Sequence, residues 1–330
     1  MAALGTADGE LLIVPVMMSS RSGSSVVAHG VQTLGIDFGA QLRAPKAKNP
    51  LGFFEDRDVL RLSKRAHRLL AGRARLALVP DERWSSPQLA ALEDEMVALL
   101  TSRFHGIERW GFKNGRILRF LPFWQRVLER LGGDVRYVFA TRNPLASAES
   151  RVRGRRRKTM DRSGGVAINL YQWLCEVVPF FHRLEGKPLL VVDFDAVVAE
   201  PAGQLERLAA FLGLEWTEAR ARAAANFATG FLNEDLRHHR HPIDELGADP
   251  RVPAAVVTMY RWLHGLASDT VAPDDPALWA SMSELSGELK VLAPLIDFAG
   301  STEQALWRAQ LNPFSPLPLL ARRLGWGRDR

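Results

Sequence analysis

Leu11-Leu12-Ile13-Val14-Pro15-Val16-Met17, followed after Met18 by Ser19-Ser20-Arg21-Ser22-Gly23-Ser24-Ser25, is the stretch that decides the fold. A short unbroken apolar run is what a parallel strand buried on both faces requires, with Pro15 its one interruption. The small, hydroxyl-bearing residues after it lead into a helical pattern, Ser24 to Leu34, with Val27, Val31 and Leu34 on one face. Such residues let the backbone wrap closely around phosphate oxygens, and a helix start adds unpaired amides and a favourable dipole. The same residues also suit a plain serine-rich turn capping a helix. The P-loop of a nucleotide kinase or ATPase ends in Gly-Lys-Ser or Gly-Lys-Thr. Here Ser24 and Ser25 follow Gly23 and the cation, Arg21, precedes it, which argues against magnesium-ATP chemistry.

Outward from this stretch, three more segments read as strands: Trp110-Gly111-Phe112, Asp134 to Ala140, and Leu189 to Phe194. A helical pattern from Gln204 carries Leu205, Leu208, Ala209 and Leu212 and stops at Gly213, a C-terminal cap. Strands alternating with helices predict an α/β fold with a mostly parallel sheet and helices on both faces. Ligands in such folds sit beyond the carboxyl ends of the strands. From about Pro242 onward the pattern predicts no strand, only short helical pieces broken by prolines. The reading is one domain over 1–330, with a core of about 10–245 and a helical elaboration of about 246–330.

The net charge of +6 is modest, yet the basic residues bunch, which favours a site for an anionic ligand over a uniformly basic nucleic-acid coat. The single cysteine, Cys175, excludes an internal disulfide and a cysteine-rich zinc site, and a cytoplasmic location is expected. No apolar run approaches the roughly 18 residues of a membrane span. The proline-broken tail, Asn312 to Arg330, ends basic and is a candidate for peripheral contact with a membrane or a partner.

A second anion site is predicted at Thr141-Arg142-Asn143-Pro144 with Ser150. An arginine at a strand end and a serine one to two turns into the next helix can converge on one phosphate, as a bidentate fork and a hydroxyl.

The two sites together resemble the sulfotransferase family, whose donor is 3′-phosphoadenosine 5′-phosphosulfate. Further segments are similar to its bacterial, carbohydrate-type members: Asn49 to Glu55, Trp110 to Arg116, Val191 to Asp195 with Glu200-Pro201, and Leu236 to Arg240. The resemblance implies a P-loop NTPase-like three-layer fold, no metal, and 3′,5′-adenosine bisphosphate as product. It implies that Arg21, Ser22, Gly23, Ser24 and Ser25 hold the 5′-phosphosulfate and that Arg142 and Ser150 hold the 3′-phosphate. Phe194 resembles a family aromatic that packs by the adenine, and it equally suits a core position. Two departures stand out: Asn114-Gly115 replaces the more frequent Asp-Pro between Lys113 and Arg116, and Gly115 stands where cytosolic small-molecule members place a catalytic histidine.

Sulfuryl transfer is an in-line displacement in which positioning and electrostatics carry catalysis. Arg21 and Lys113 are the expected cations. Glu55 is the expected base, because Gly52-Phe53-Phe54 sets it beside apolar residues, although Glu55 and Asp56 equally suit the start of the helix carrying Val59 and Leu62. Arg237 and Arg240, with His238, His239 and His241, read as a cationic flap over the nucleotide or an acidic acceptor, or as a solvated loop. Metal binding there is disfavoured, since the arginines repel a cation. The run Arg151 to Lys158 reads as a solvated face beside the phosphate site or a grip on an acidic glycan. Nucleic acid is not expected, since no aromatics interleave it. Trp173 and Tyr171 read as core residues in preference to a stacking surface for a sugar. The acceptor expected is a hydroxyl of a carbohydrate or glycolipid. The rival readings are a P-loop kinase-like phosphotransferase and a non-catalytic nucleotide- or glycan-binding relative.

Overall fold

The computed structural model of the chain describes residues 11–45, 52–72, 77–156, 165–230 and 243–311. In chain order they form β1 (Leu12–Met18), α1 (Ser24–Thr33), α2 (Arg57–Ala71), α3 (Pro87–Arg103), β2 (Arg109–Lys113) and α4 (Leu121–Leu131). Then follow β3 (Asp134–Val135), β4 (Tyr137–Thr141), α5 (Pro144–Arg156), α6 (Gly165–Phe181), β5 (Leu189–Asp193), α7 (Phe194–Ala199) and α8 (Pro201–Phe211). The chain continues through α9 (Glu218–Gly230), α10 (Ile243–Leu246), α11 (Ala254–Ala267), α12 (Pro276–Val291) and α13 (Ala293–Leu311).

The strands run in the order β2-β1-β4-β5, all parallel, with the short β3 also paired to β1. The apolar runs are continuous because each strand feeds two cores, with alternate side chains on opposite faces. On one face Leu12, Val14 and Val16 join Val138, Ala140, Leu190 and Val192 under α1, α8 and α9. On the other, Ile13 and Met17 join Trp110, Phe112, Phe139 and Val191 under α2, α3, α4, α6, α11 and α12. The result is the expected P-loop NTPase-like arrangement, a parallel sheet between two layers of helices.

The predicted strand Asp134 to Ala140 is divided in two. At Arg136 the guanidinium turns away to Asp134 Oδ2 (2.6 Å) and the Phe211 carbonyl (2.7 Å), tying the break to the end of α8. The predicted strand end at Phe194 is in fact the first turn of α7. After residue 242 the expected short pieces are replaced by helices of 14, 16 and 19 residues, α11 to α13. Their prolines start helices rather than break them: Pro253 is the N-cap of α11, and Pro276 opens α12, where a missing N–H costs nothing. These helices share the larger core through Val256, Tyr260, Leu278 and Trp279. Among the described residues no helix is long and apolar enough to cross a membrane.

Candidate active site

Because the sheet is parallel, the ends of β1, β2, β4 and β5 lie along one edge. The register pairs Val16 with Lys113, Met18 with Ala140 and Thr141 with Asp193, so four successive turns face the same space.

The turn after β1 is built for close approach. Gly23, the N-cap of α1, has φ 72°. A Cβ there would stand 2.0 Å from Cδ2 of Phe194, so glycine is required both by conformation and by space. Arg21 also has a positive φ, 70°, a conformation that L-residues other than asparagine and aspartate rarely adopt. Ser22 is fully buried and its hydroxyl donates to the Ser19 carbonyl (2.9 Å), closing the turn from within. The first amides of α1 thus lie at the head of a helix with no intrahelical acceptor, beside Gly23 and the exposed cation Arg21.

Lys113, the last residue of β2, is only 3% exposed. Its Nζ donates to Ser25 Oγ (3.0 Å) and to the Phe53 carbonyl (2.7 Å), and stands 3.9 Å from Glu55 Oε1. Burial pushes its pKa down to about 8, against the attraction of Glu55 and with the help of Arg43. A solvated surface lysine is therefore not what the fold makes of it. The carbonyl of Phe53 is turned toward Lys113 by Phe54, whose φ is 54°, a second strained non-glycine residue at this edge.

Glu55 and Asp56 separate cleanly. Asp56 caps α2, accepting from the amides of Asp58 (2.8 Å) and Val59 (3.0 Å), and pairs with Arg103. Glu55 instead turns toward the sheet edge. Its neighbours are cations, not the apolar side chains expected: Arg43 Nη1 at 3.0 Å and Lys113. Arg43 is itself laid over the Phe53 ring at 4.0 Å, and backbone pairing of residue 43 with residue 55 (2.8 Å) fixes the segment. The departure Asn114-Gly115 is structurally coherent. Asn114 is buried, and its Oδ1 accepts from the Arg116 amide (2.9 Å), shaping the turn that follows Lys113.

Arg142 lies just past β4 and is 5% exposed, with its guanidinium 4.8 Å above the Phe194 ring and Nε 3.7 Å from Asp195 Oδ2. Phe194 thus joins Gly23 on one side to Arg142 on the other. Asp193 caps α7 through the amides of Asp195 (2.8 Å) and Ala196 (3.2 Å), which sets Phe194 at the head of that helix. The Tyr260 hydroxyl donates to Asp193 Oδ2 (3.5 Å), so α11 braces the turn. Burial, with Asp195 adding to it, raises the Asp193 pKa.

Ser150 lies on α5 opposite Arg21, whose Nη2 and Nε donate to its Oγ at 2.9 and 3.2 Å. The structure therefore joins Ser150 to the first loop, while Arg142 packs on Phe194 and Asp195. Arg151, placed by sequence in a solvated run, is largely buried. It bonds Gln172 Oε1 (2.5 Å) and Asn169 Oδ1 (3.3 Å) on α6 and faces Glu176 Oε2 at 4.0 Å. Glu176 was not expected at the site, yet its Oε2 accepts from the Ser20 amide at 3.3 Å. Trp173 is in the core as expected, whereas Tyr171 is 44% exposed. Arg237 and Arg240, with the neighbouring histidines, lie outside the described residues, as do Asn49 to Leu51.

Residues 123–218 match the sulfotransferase family model, a span holding β4, Arg142, Ser150 and Phe194. Over this span the chain carries the sulfotransferase family's pattern. Among solved structures, the chain is similar to the sulfotransferase domain of the olefin synthase of Synechococcus PCC 7002, at 17% identity over 88% of this chain and 98% of that one, with a TM-score of 0.39. It is also similar to sulfotransferase STF9 from Mycobacterium avium, at 14% identity over 72% and 70% of the two chains, TM-score 0.41. A third is retinol dehydratase in complex with androsterone and the inactive cofactor PAP, at 14% identity over 84% and 80%, TM-score 0.37. No protein of curated function matches the chain by sequence.

Proposed function

We propose that this chain transfers a sulfuryl group from 3′-phosphoadenosine 5′-phosphosulfate to a hydroxyl of an acceptor, a carbohydrate or glycolipid. The observation that carries the reading is Lys113, a buried cation bonded to Ser25 of the anion-binding turn and adjacent to the Glu55 carboxylate. It stands where a donor loop and a proton acceptor meet. The family match over residues 123–218 supports the same reading.

The residues fit such a donor. The turn at Gly23, packed against Phe194, brings the backbone round to the head of α1, and Lys113, Arg21 and Arg142 supply cations at the ends of β2, β1 and β4. The donor supplies an activated sulfuryl group on a phosphate leaving group. In the transfer, the bond from sulfur to the acceptor oxygen forms as the bond from sulfur to the phosphate oxygen breaks. The acceptor proton passes to Glu55, and Lys113 and Arg21 stabilise charge on the leaving phosphate. With its pKa lowered by burial to about 8, Lys113 serves as a cation, or as a proton donor to the leaving oxygen. Arg21 stays charged and can only clamp. Phe194, packed against Gly23 and beneath the Arg142 guanidinium, is the aromatic that packs by the adenine of the nucleotide.

The test is transfer of labelled sulfate from the donor to a panel of neutral and acidic glycans and glycolipids, with wild type and Glu55→Gln. Transfer by wild type that is lost in Glu55→Gln, with 3′,5′-adenosine bisphosphate still bound, supports the assignment. Metal-dependent use of ATP in its place would overturn it.

A further inference from the structure

We propose that Glu176 is a positioning residue that fixes the Ser20–Arg21 turn of the donor loop, and through it the aim of Arg21. This rests on the donor reading given above. Glu176 is 7% exposed on α6, and its two oxygens have separate tasks. Oε1 accepts from Gln172 Nε2 at 2.7 Å, and Oε2 accepts from the Ser20 amide at 3.3 Å. Arg151 neutralises the charge, with Nη2 at 4.0 Å, and ties the carboxylate to α5 through Gln172 and Asn169. Asn169 is held in turn by the Gly165 carbonyl at 2.6 Å, at the start of α6.

The loop needs such a hold. Arg21 is kept in a left-handed conformation that it would leave if unconstrained. Three contacts restrain it, all from α5 and α6: Glu176 on the Ser20 amide, Ser147 Oγ on the Arg21 carbonyl (3.4 Å), and Ser150 on the Arg21 guanidinium. Of these only Glu176 acts on the backbone that enters the turn. Burying a carboxylate is costly unless charged and hydrogen-bonding partners offset it, as Arg151, Gln172 and the Ser20 amide do for Glu176. Here it orders the residue that must point at the transferred group.

The experiment is calorimetric binding of 3′,5′-adenosine bisphosphate to the full chain, comparing wild type, Glu176→Gln, Glu176→Asp and Arg142→Ala. Glutamine keeps the reach and one acceptor oxygen for the Ser20 amide, but it removes the charge facing Arg151 and sets an amide nitrogen toward Gln172 Nε2, whereas aspartate keeps the charge and falls short of the Ser20 amide. The proposal expects Glu176→Asp to bind about tenfold more weakly than wild type, the loss of one buried bond, and Glu176→Gln, which keeps an acceptor for the Ser20 amide, to bind more tightly than Glu176→Asp. That deficit should shrink to within about twofold when Arg21→Ala is already present, because the two act through one another. Unchanged binding in Glu176→Asp, or a deficit that persists undiminished in the Arg21→Ala background, would overturn the proposal. Loss of binding in Arg142→Ala alongside normal Glu176→Asp would overturn it alone and leave the donor site standing. No binding by wild type would overturn the donor reading and this proposal with it.

Discussion

The ring of Phe194 fills the space that a Cβ on Gly23 would occupy, with Cδ2 2.0 Å from that position. Two residues 171 positions apart are thus fitted to one another across the sheet edge. The contact joins the turn after β1 to the head of α7, and Arg142 completes it from above.

Gly23→Ala should therefore fail on two counts, a side chain at φ 72° and a collision with Phe194. The expected cost is about 2–4 kcal/mol, combining left-handed strain with overpacking. In the Phe194→Ala background, itself destabilised by the lost ring, Gly23→Ala should cost only the backbone share of about 1–2 kcal/mol. Urea denaturation of the single and double variants measures both.

Lys113 sets a pH dependence. Its pKa is depressed from the usual lysine value to about 8 by burial, so the unfolded chain binds the proton more tightly than the folded one. Stability should accordingly rise with pH between about 8 and 10.5, the range in which only the unfolded lysine is protonated. Nucleotide binding should move the opposite way. Affinity for 3′,5′-adenosine bisphosphate should fall as pH rises through 8, and Lys113→Met should remove that part of the dependence. Binding isotherms from pH 6 to 10 decide it.

Asp56 and Glu55 should behave as different kinds of residue. Asp56→Ala removes a helix cap and the buried partner of Arg103, for an expected loss of about 2–4 kcal/mol in stability. Asp56→Asn keeps the cap and should lose less. Glu55→Gln should leave the melting temperature within a few degrees, about the shift of a small change in stability, while transfer falls by roughly 100-fold or more.

Ser150→Ala should weaken bisphosphate binding by about three- to tenfold, by freeing the Arg21 guanidinium it now orients. If Ser150 works through Arg21, the effect vanishes in the Arg21→Ala background. Calorimetry on the four proteins of this cycle provides the check.

Much of the framework is legible in the sequence. The apolar run of β1 and the small residues after it carry their own local signal, because a doubly buried strand must be apolar throughout and a tight turn needs Gly23. Lys113 was legible as a residue at a strand end, but its burial was not, since that depends on Phe53 and Ser25 arriving from elsewhere in the chain. The choice between Glu55 and Asp56 turned on the pairing of residues 41–43 with 55–57, a tertiary event. The same holds for Arg151, whose partners lie on the next helix. Glu176 was missed, although a signal existed. It is the lone charge between Ile168 and Phe181, an apolar helix where a carboxylate has to be paid for by partners. The C-terminal helices were misread because a proline breaks a helix only from inside, and Pro253 and Pro276 stand at starts.

The central claim is that this sheet edge holds a nucleotide with phosphates at both ends, without metal. The most direct measurement is calorimetric titration of wild type and Arg142→Ala with 3′,5′-adenosine bisphosphate, against ATP and ADP, with and without magnesium. The account predicts metal-independent binding of the bisphosphate in preference to ATP and ADP, lost in Arg142→Ala. No binding of the bisphosphate, or a preference for magnesium-ATP, would contradict it.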